Sequence, residues 1–119
     1  MTNKNVTGIG GLFFRAKDPK ALTEWYKEHL GIDMDNSEHS WSQEAGLTAF
    51  APFPQDTDYF GNAEKQWMIN FRVRDLDTLV DQLRASRIEV TVNPEIYPYG
   101  RFARVHDPEG NPIELWEPK

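Results

Sequence analysis

The residues best suited to chemistry in this chain lie near its C-terminal end, in two segments where polar and apolar residues alternate. Arg104 and His106 belong to the first segment, and Glu114 stands between Ile113 and Leu115 in the second. A carboxylate or a histidine can transfer protons, and either can bind a metal. Because a period of two is typical of half-buried strands, Glu114 should project from the face opposite Ile113 and Leu115.

Residues 107–111, Asp-Pro-Glu-Gly-Asn, separate these segments and have the composition of a tight turn, so the sequence predicts a hairpin. Two interpretations of Glu114 follow. It could be a general base or cation anchor in a cavity, or it could form a salt bridge to Arg104 across the hairpin. His106 could act as an acid–base group or as a second metal ligand with Glu114, or it could be a partly exposed structural histidine.

Composition limits the range of functions. The 119 residues suit one domain, and 39% hydrophobic with 27% charged residues argue against disorder. A net charge of −6 argues against nucleic acid and anionic membranes as partners. There is no cysteine and no apolar run long enough to cross a membrane or to act as a signal sequence, so we expect a cytoplasmic protein.

Hydrophobic periodicity predicts the secondary structure. Asp18-Pro19 should start a helix that reaches about Leu30, and Asp75 should cap a second helix. The alternating patterns predict strands at 8–16, 41–43, 47–51, 67–73 and 88–92, followed by the C-terminal hairpin. Residues 51–66 are rich in proline, glycine and aromatic residues, which predicts a connector that covers another part of the molecule.

An internal repeat links the two halves of the chain. Residues 14–18, Phe-Arg-Ala-Lys-Asp, match residues 71–75, Phe-Arg-Val-Arg-Asp, and Leu22 matches Leu79 at the same offset of 57. In each half a strand ends at an aspartate that begins a helix. This predicts two modules, at residues 8–53 and 67–119, joined by the connector 54–66.

Together these residues resemble the vicinal oxygen chelate superfamily, which includes glyoxalase I, bleomycin-resistance proteins and extradiol dioxygenases. The resemblance depends on Asp18 with Trp25-Tyr26 and Leu30-Gly31, on residues 71–75, and on residues 107–115. It implies one α+β domain over residues 1–119. That domain would contain two βαβββ modules with curved sheets around a cavity, helices outside, and a tendency to form homodimers.

In enzymes of that superfamily a divalent metal is bound by His, Glu or Gln side chains from strands of both modules. The matching positions in this sequence are Gly11, Met68, Ala49 or Phe50, and Glu114. Glycine, methionine and an apolar residue do not complete a site for a hard cation. We therefore predict no cofactor; if a divalent metal does bind, Glu114 and His106 are the candidate ligands.

The leading hypothesis is a metal-independent protein that binds a small molecule in an aromatic cavity. The aromatic residues that could line this cavity are Phe13, Trp41, Phe50, Tyr97, Phe102 and Trp116. Met68, Asn70 and Arg104 could add further contacts, with Glu114 as the candidate catalytic residue. The alternatives are a metal-dependent lyase or isomerase of the glyoxalase I type that uses Glu114, and a non-catalytic interaction domain with a filled cavity.

Overall fold

A four-stranded mixed sheet built from the second half of the chain is the centre of the fold. The structure, a computed structural model, describes residues 5–34 and 40–119. The helices are α1 (Pro19–Leu30) and α2 (Leu76–Ala85). The strands are β1 (Ile69–Arg72), β2 (Thr91–Val92), β3 (Gly100–His106) and β4 (Pro112–Pro118), in the sheet order β1-β4-β3-β2.

The strand pairing reproduces one strand–helix–strand–strand–strand unit. β1 runs parallel to β4, and β3 forms an antiparallel hairpin with β4. β2 pairs antiparallel with β3 at the far edge of the sheet. The predicted C-terminal hairpin and the α+β class are therefore confirmed, and the sheet is open rather than closed.

Both helices begin at the predicted aspartates. The side chain of Asp18 accepts a hydrogen bond from the Ala21 amide at 3.1 Å, and Asp75 does the same for the Thr78 amide at 3.1 Å. Such capping satisfies amides that have no partner within the helix. α1 ends at Gly31, whose φ of 69° is left-handed and therefore favours glycine.

The hydrophobic core lies between the helices and one face of the sheet. Burial of this apolar surface is the main favourable contribution to folding. The buried hydrophobic residues are Leu22, Tyr26, Leu76, Val80, Leu83, Val90, Ala103, Val105, Ile113 and Leu115. Neither helix is long and apolar enough to cross a membrane, as far as the described residues extend.

In the first half, α1 forms, but the strands predicted at 8–16, 41–43 and 47–51 do not form within the described residues. An isolated strand is unstable without a hydrogen-bonded neighbour and a buried face. Here Phe13 is 95% exposed and Phe50 is 87% exposed, so neither side chain has a core to enter. The segment is instead attached to β1 through Arg72, whose guanidinium donates to the carbonyl oxygens of Glu44 and Leu47.

The turn between β3 and β4 attaches the hairpin to α1. The Asp107 carboxylate is 4% exposed. It accepts hydrogen bonds from the Tyr26 hydroxyl at 2.6 Å, from the Asn111 side chain at 2.7 Å, and from the amides of Glu109 and Asn111. Glu109 in turn accepts from the amides of Lys17 and Asp18, just before α1. The turn motif therefore fixes the packing of a helix on the sheet.

Candidate functional site

The candidate site is the sheet face that points away from the core, here called the polar face. Strand alternation places on it Asn70, Arg72, Phe102, Arg104, His106, Glu114 and Trp116. The register sets Asn70, Glu114 and Arg104 side by side in one row across the three strands. Arg72, Trp116 and Phe102 form the next row. Polar anchors and aromatic rings therefore lie in adjacent rows of one rigid element.

Glu114 is half-buried, and each of its carboxylate oxygens has a partner. Asn70 Nδ2 donates to Oε1 at 2.8 Å, and the Tyr59 hydroxyl donates to Oε2. Hydrogen bonds to an ionised acceptor are the stronger kind, so this carboxylate is firmly oriented. Its position agrees with the prediction that Glu114 projects opposite Ile113 and Leu115.

Arg104 is the cross-strand neighbour of Glu114, but the predicted salt bridge between them is not among the ion pairs of the described residues. The Arg104 guanidinium instead donates to the backbone carbonyl of Tyr59. Its central carbon also lies 4.7 Å from the centroid of the Tyr59 ring, which is a cation–π contact. Tyr59 therefore contacts both the Glu114 carboxylate and the Arg104 guanidinium.

The environment of Tyr59 keeps its phenol protonated. Burial raises the pKa of the Tyr59 hydroxyl, and the hydrogen bond to Glu114 raises it further, while Arg104 lowers it in part. A phenolate would lose the hydrogen bond to Glu114 and would be repelled by the negative charge of its carboxylate. Both effects of Glu114 therefore raise the pKa of Tyr59. Tyr59 is therefore a neutral hydrogen-bond donor to Glu114 at neutral pH.

An aromatic cluster, comprising Tyr97, Tyr99, Phe102 and Trp116, occupies the neighbouring part of the polar face. The rings of Phe102 and Trp116 are stacked with centroids 6.3 Å apart and an interplanar angle of 6°. Tyr97 and Tyr99 stack on each other at 5.3 Å, and both contact Phe102 edge-on at 5.8 Å. The Trp116 indole N–H donates to the Tyr99 carbonyl at 2.9 Å. Since Tyr99 is 58% exposed, the cluster is open at the surface of the molecule.

Gly100 makes the close packing of this cluster possible. A Cβ atom at this position would lie 2.7 Å from the Trp116 indole nitrogen and 2.3 Å from the Glu117 carbonyl oxygen. Its φ of 134° also suits glycine and few other residues. No pattern in the sequence pointed directly to this role of Gly100.

Tyr59 of the connector covers the row formed by Asn70, Glu114 and Arg104. The sequence did not single out Tyr59 as a site residue. Tyr59 stacks on Phe53 at 6.0 Å, and Phe53 also contacts Phe60 at 5.3 Å. These aromatic residues, unusual in a segment rich in proline and glycine, were the available signal. They led to the prediction that the connector covers another part of the molecule, and the structure shows that part to be the Glu114 row.

The remaining predicted site residues lie elsewhere. Phe13 and Phe50 are exposed, and Trp41 packs against Phe71 at 6.1 Å, on the core side of β1. Met68 is half-buried immediately before β1, while His106 is exposed at the end of β3. His39, whose polar sequence neighbours Ser37, Glu38 and Ser40 are typical of a solvated loop, lies outside the described residues. The structure therefore brings together Asn70, Tyr97, Phe102, Arg104, Glu114 and Trp116.

The donors around Glu114 do not fit the divalent metal of the superfamily enzymes. Both carboxylate oxygens already accept hydrogen bonds, and the cationic Arg104 is the next side chain in the row. A dication there would lose those bonds and would meet a like charge. Across residues 5–34 and 40–119, no three His, Asp or Glu side chains converge on one point.

The fold and the polar face define a small α+β domain with a rigid sheet, an oriented carboxylate and an aromatic surface. The sequence profile of the Glyoxalase/Bleomycin resistance protein/Dioxygenase superfamily matches residues 8–115. The chain belongs to this superfamily.

Solved structures agree with this assignment at the level of the fold. The antibiotic binding protein TnmS3 from Streptomyces sp. CB03234 is 21% identical, covers 98% of this chain and 100% of its own, and has a TM-score of 0.64. A superfamily member from Sphaerobacter thermophilus DSM 20745 is 18% identical, over 94% of this chain and 98% of its own, with a TM-score of 0.59.

A shorter match has higher sequence identity. A glyoxalase family protein from Bacillus anthracis is 33% identical over 46% of this chain, with a TM-score of 0.41. The matched region spans 44% of that protein's own length. A search of curated proteins finds no significant match.

Proposed function

We propose that this protein binds a planar aromatic small molecule on the polar face of its sheet. Glu114, Asn70 and Arg104 act as polar anchors, and the aromatic cluster supplies a stacking surface. The observation that carries this proposal is the register, which places an oriented carboxylate one row from the stacked rings of Phe102 and Trp116. TnmS3, which has the same fold, is an antibiotic binding protein, and this agrees with a small-molecule ligand.

The balance of polar and apolar groups favours such a ligand. Aromatic contacts contribute about 0.5–1.5 kcal/mol each beyond the area that they bury. A few directed polar groups beside an apolar surface are typical of sites that fix the orientation of a small ligand. A ligand with a net charge is disfavoured, because Glu114 and Arg104 carry opposite charges in the same row and one of them would repel it.

The direct test is a calorimetric titration of purified protein with a panel of planar aromatic compounds, repeated with Glu114→Gln. Since hydrogen bonds to charged groups contribute about 1.5–3 kcal/mol, we expect about tenfold weaker binding of donor-bearing compounds by the variant. Glu95→Gln removes the same charge from an exposed loop residue, so it serves as the matched control. Equal affinities for all three proteins would contradict the role given to Glu114.

We also propose that ligand binding proceeds without a metal. The support is the donor set around Glu114, in which both oxygens are occupied and Arg104 is adjacent. The metal-dependent lyase or isomerase considered from the sequence would require this carboxylate as a ligand. Elemental analysis of protein purified without chelator tests the proposal, and a stoichiometric divalent metal would overturn it.

Finally, we propose that the protein acts as a homodimer. The support is the apolar surface of the first half, where Val6, Phe13, Leu47 and Phe50 are each at least 79% exposed. A second copy that covers these side chains would remove their apolar area from water, so a second copy is the occupant proposed here. Light scattering after size exclusion should give twice the chain mass. A monomer at micromolar concentration would contradict the proposal.

A further inference from the structure

Tyr59 occupies the Glu114 row in the way that a bound molecule would. Its hydroxyl donates to Glu114, its ring lies beneath the Arg104 guanidinium at 4.7 Å, and the ring of Phe53 stacks on it at 6.0 Å. It belongs to neither the sheet nor a helix, since it comes from the irregular connector. Its amide donates to the Thr57 hydroxyl and its carbonyl accepts from Arg104. Neither partner belongs to the hydrophobic core, so this residue can leave without disrupting the core.

We infer that the ligand class of this site is a planar phenol, which takes the place of Tyr59 when it binds. The aryl hydroxyl would donate to Glu114, and the Arg104 guanidinium would make a cation–π contact with the face of the ring. The rest of the molecule would extend over the aromatic cluster. This inference rests on the proposed small-molecule function. It adds the chemical group, an aryl hydroxyl, that the row of Asn70, Glu114 and Arg104 selects.

Other ligand chemistries fit the row less well. A carboxylate or phosphate would approach Glu114 with a like charge, and a cationic ring would lie beneath the Arg104 guanidinium. An aromatic ring without a donor would leave one oxygen of Glu114 without the partner that Tyr59 now provides. A neutral aryl hydroxyl meets Glu114 and Arg104 with the correct polarity, and it leaves the bond from Asn70 to Glu114 in place.

An internal group that occupies a site acts as a competitor. The apparent dissociation constant rises in inverse proportion to the fraction of molecules in which the site is open. Tyr59→Phe removes the bond to Glu114, so it should raise that fraction and tighten binding of a phenol. Ser86→Ala removes a hydroxyl from an exposed residue at the end of α2, outside the polar face and the aromatic cluster, and it is the matched control.

The experiment is a fluorescence or calorimetric titration with β-naphthol and with its methyl ether, which has the same ring but no donor. We expect the wild-type protein to prefer β-naphthol by about tenfold, the ratio that one charge-assisted hydrogen bond supplies. Tyr59→Phe should bind β-naphthol several-fold more tightly, Ser86→Ala should bind it like the wild type, and Glu114→Gln should lose the preference.

Each outcome decides the question. If both compounds bind the wild type with equal affinity, the phenol assignment fails while the proposed function stands. If Tyr59→Phe weakens β-naphthol binding, Tyr59 is part of the binding surface rather than a competitor, and the inference is again wrong. If neither compound binds any of the proteins, the inference and the proposed function both fail. The wild-type comparison needs no variant, so it holds even if a variant folds poorly.

Discussion

Replacing Tyr26 with phenylalanine should destabilise the fold by removing the bond that joins α1 to the turn between β3 and β4. The Tyr26 hydroxyl donates to Asp107 Oδ2 at 2.6 Å, and both groups are buried. The change deletes only one oxygen atom, so the ring contacts of Tyr26 with Phe71 and Trp25 stay in place. The lost free energy should therefore report on this hydrogen bond alone.

The structure allows the magnitude to be worked out. A hydrogen bond to a charged group contributes about 1.5–3 kcal/mol. Because Asp107 keeps its bonds from the Asn111 side chain and from two backbone amides, we expect a loss of about 2 kcal/mol. For a domain of this size that corresponds to a fall in the unfolding temperature of about 8 °C.

Urea unfolding followed by tryptophan fluorescence and by circular dichroism measures the change. Tyr99→Phe is the matched control, and it should stay within about 0.5 kcal/mol of the wild type, as exposed substitutions usually do. The reasoning is refuted if Tyr26→Phe is as stable as the wild type, or if both variants lose the same free energy.

Three further predictions concern the same fold. Gly100→Ala should lower the free energy of unfolding by about 2 kcal/mol or more in urea, because its Cβ would lie 2.3 Å from the Glu117 carbonyl, whereas Gly8→Ala, with no atom within 4 Å of its Cβ, should have little effect. Glu109→Ala should cost about 1 kcal/mol in thermal unfolding by removing the acceptor for the Lys17 and Asp18 amides, and Glu95→Ala should not. Burial and the bond to Asp107 raise the pKa of Tyr26, so its contribution is complete below the unfolded pKa of about 10 and is lost as pH rises towards the folded pKa. The free energy of unfolding, measured across this alkaline range, should therefore fall less steeply with pH in Tyr26→Phe than in the wild type. Equal slopes in the two proteins would contradict this role of Tyr26.

Local sequence signals predicted the second half of the fold well. Asp75 and the apolar stripe of α2 define a helix from short-range rules, and the turn at 107–111 fixes the hairpin register. The same rules placed Asn70, Arg104 and Glu114 on one face, because strand alternation is local. The family motif around Asp107, which the sequence identified as a turn, also attaches α1 to the sheet.

The first half could not be predicted in the same way. Alternation at 8–16 and 47–51 is a property of the segment, but a strand forms only when another strand pairs with it. The partner of Arg104 was missed for a related reason. Cross-strand neighbours suggested Glu114, whereas a connector residue 45 positions earlier, Tyr59, inserts between the two charges. Contacts of such long sequence separation leave no periodic signal.

The measurement that tests the central claim most directly is a two-dimensional ¹H–¹⁵N spectrum of the protein titrated with β-naphthol, because each tryptophan indole N–H gives its own signal. The chain has four tryptophans, of which Trp116 lies in the aromatic cluster and Trp25 on α1 contacts Tyr26 and His29. The account predicts that the Trp116 indole signal and the Asn70 side-chain amide shift with ligand concentration while the Trp25 indole signal does not. Shifts at Trp25 without shifts at Trp116 would contradict the polar face as the binding site.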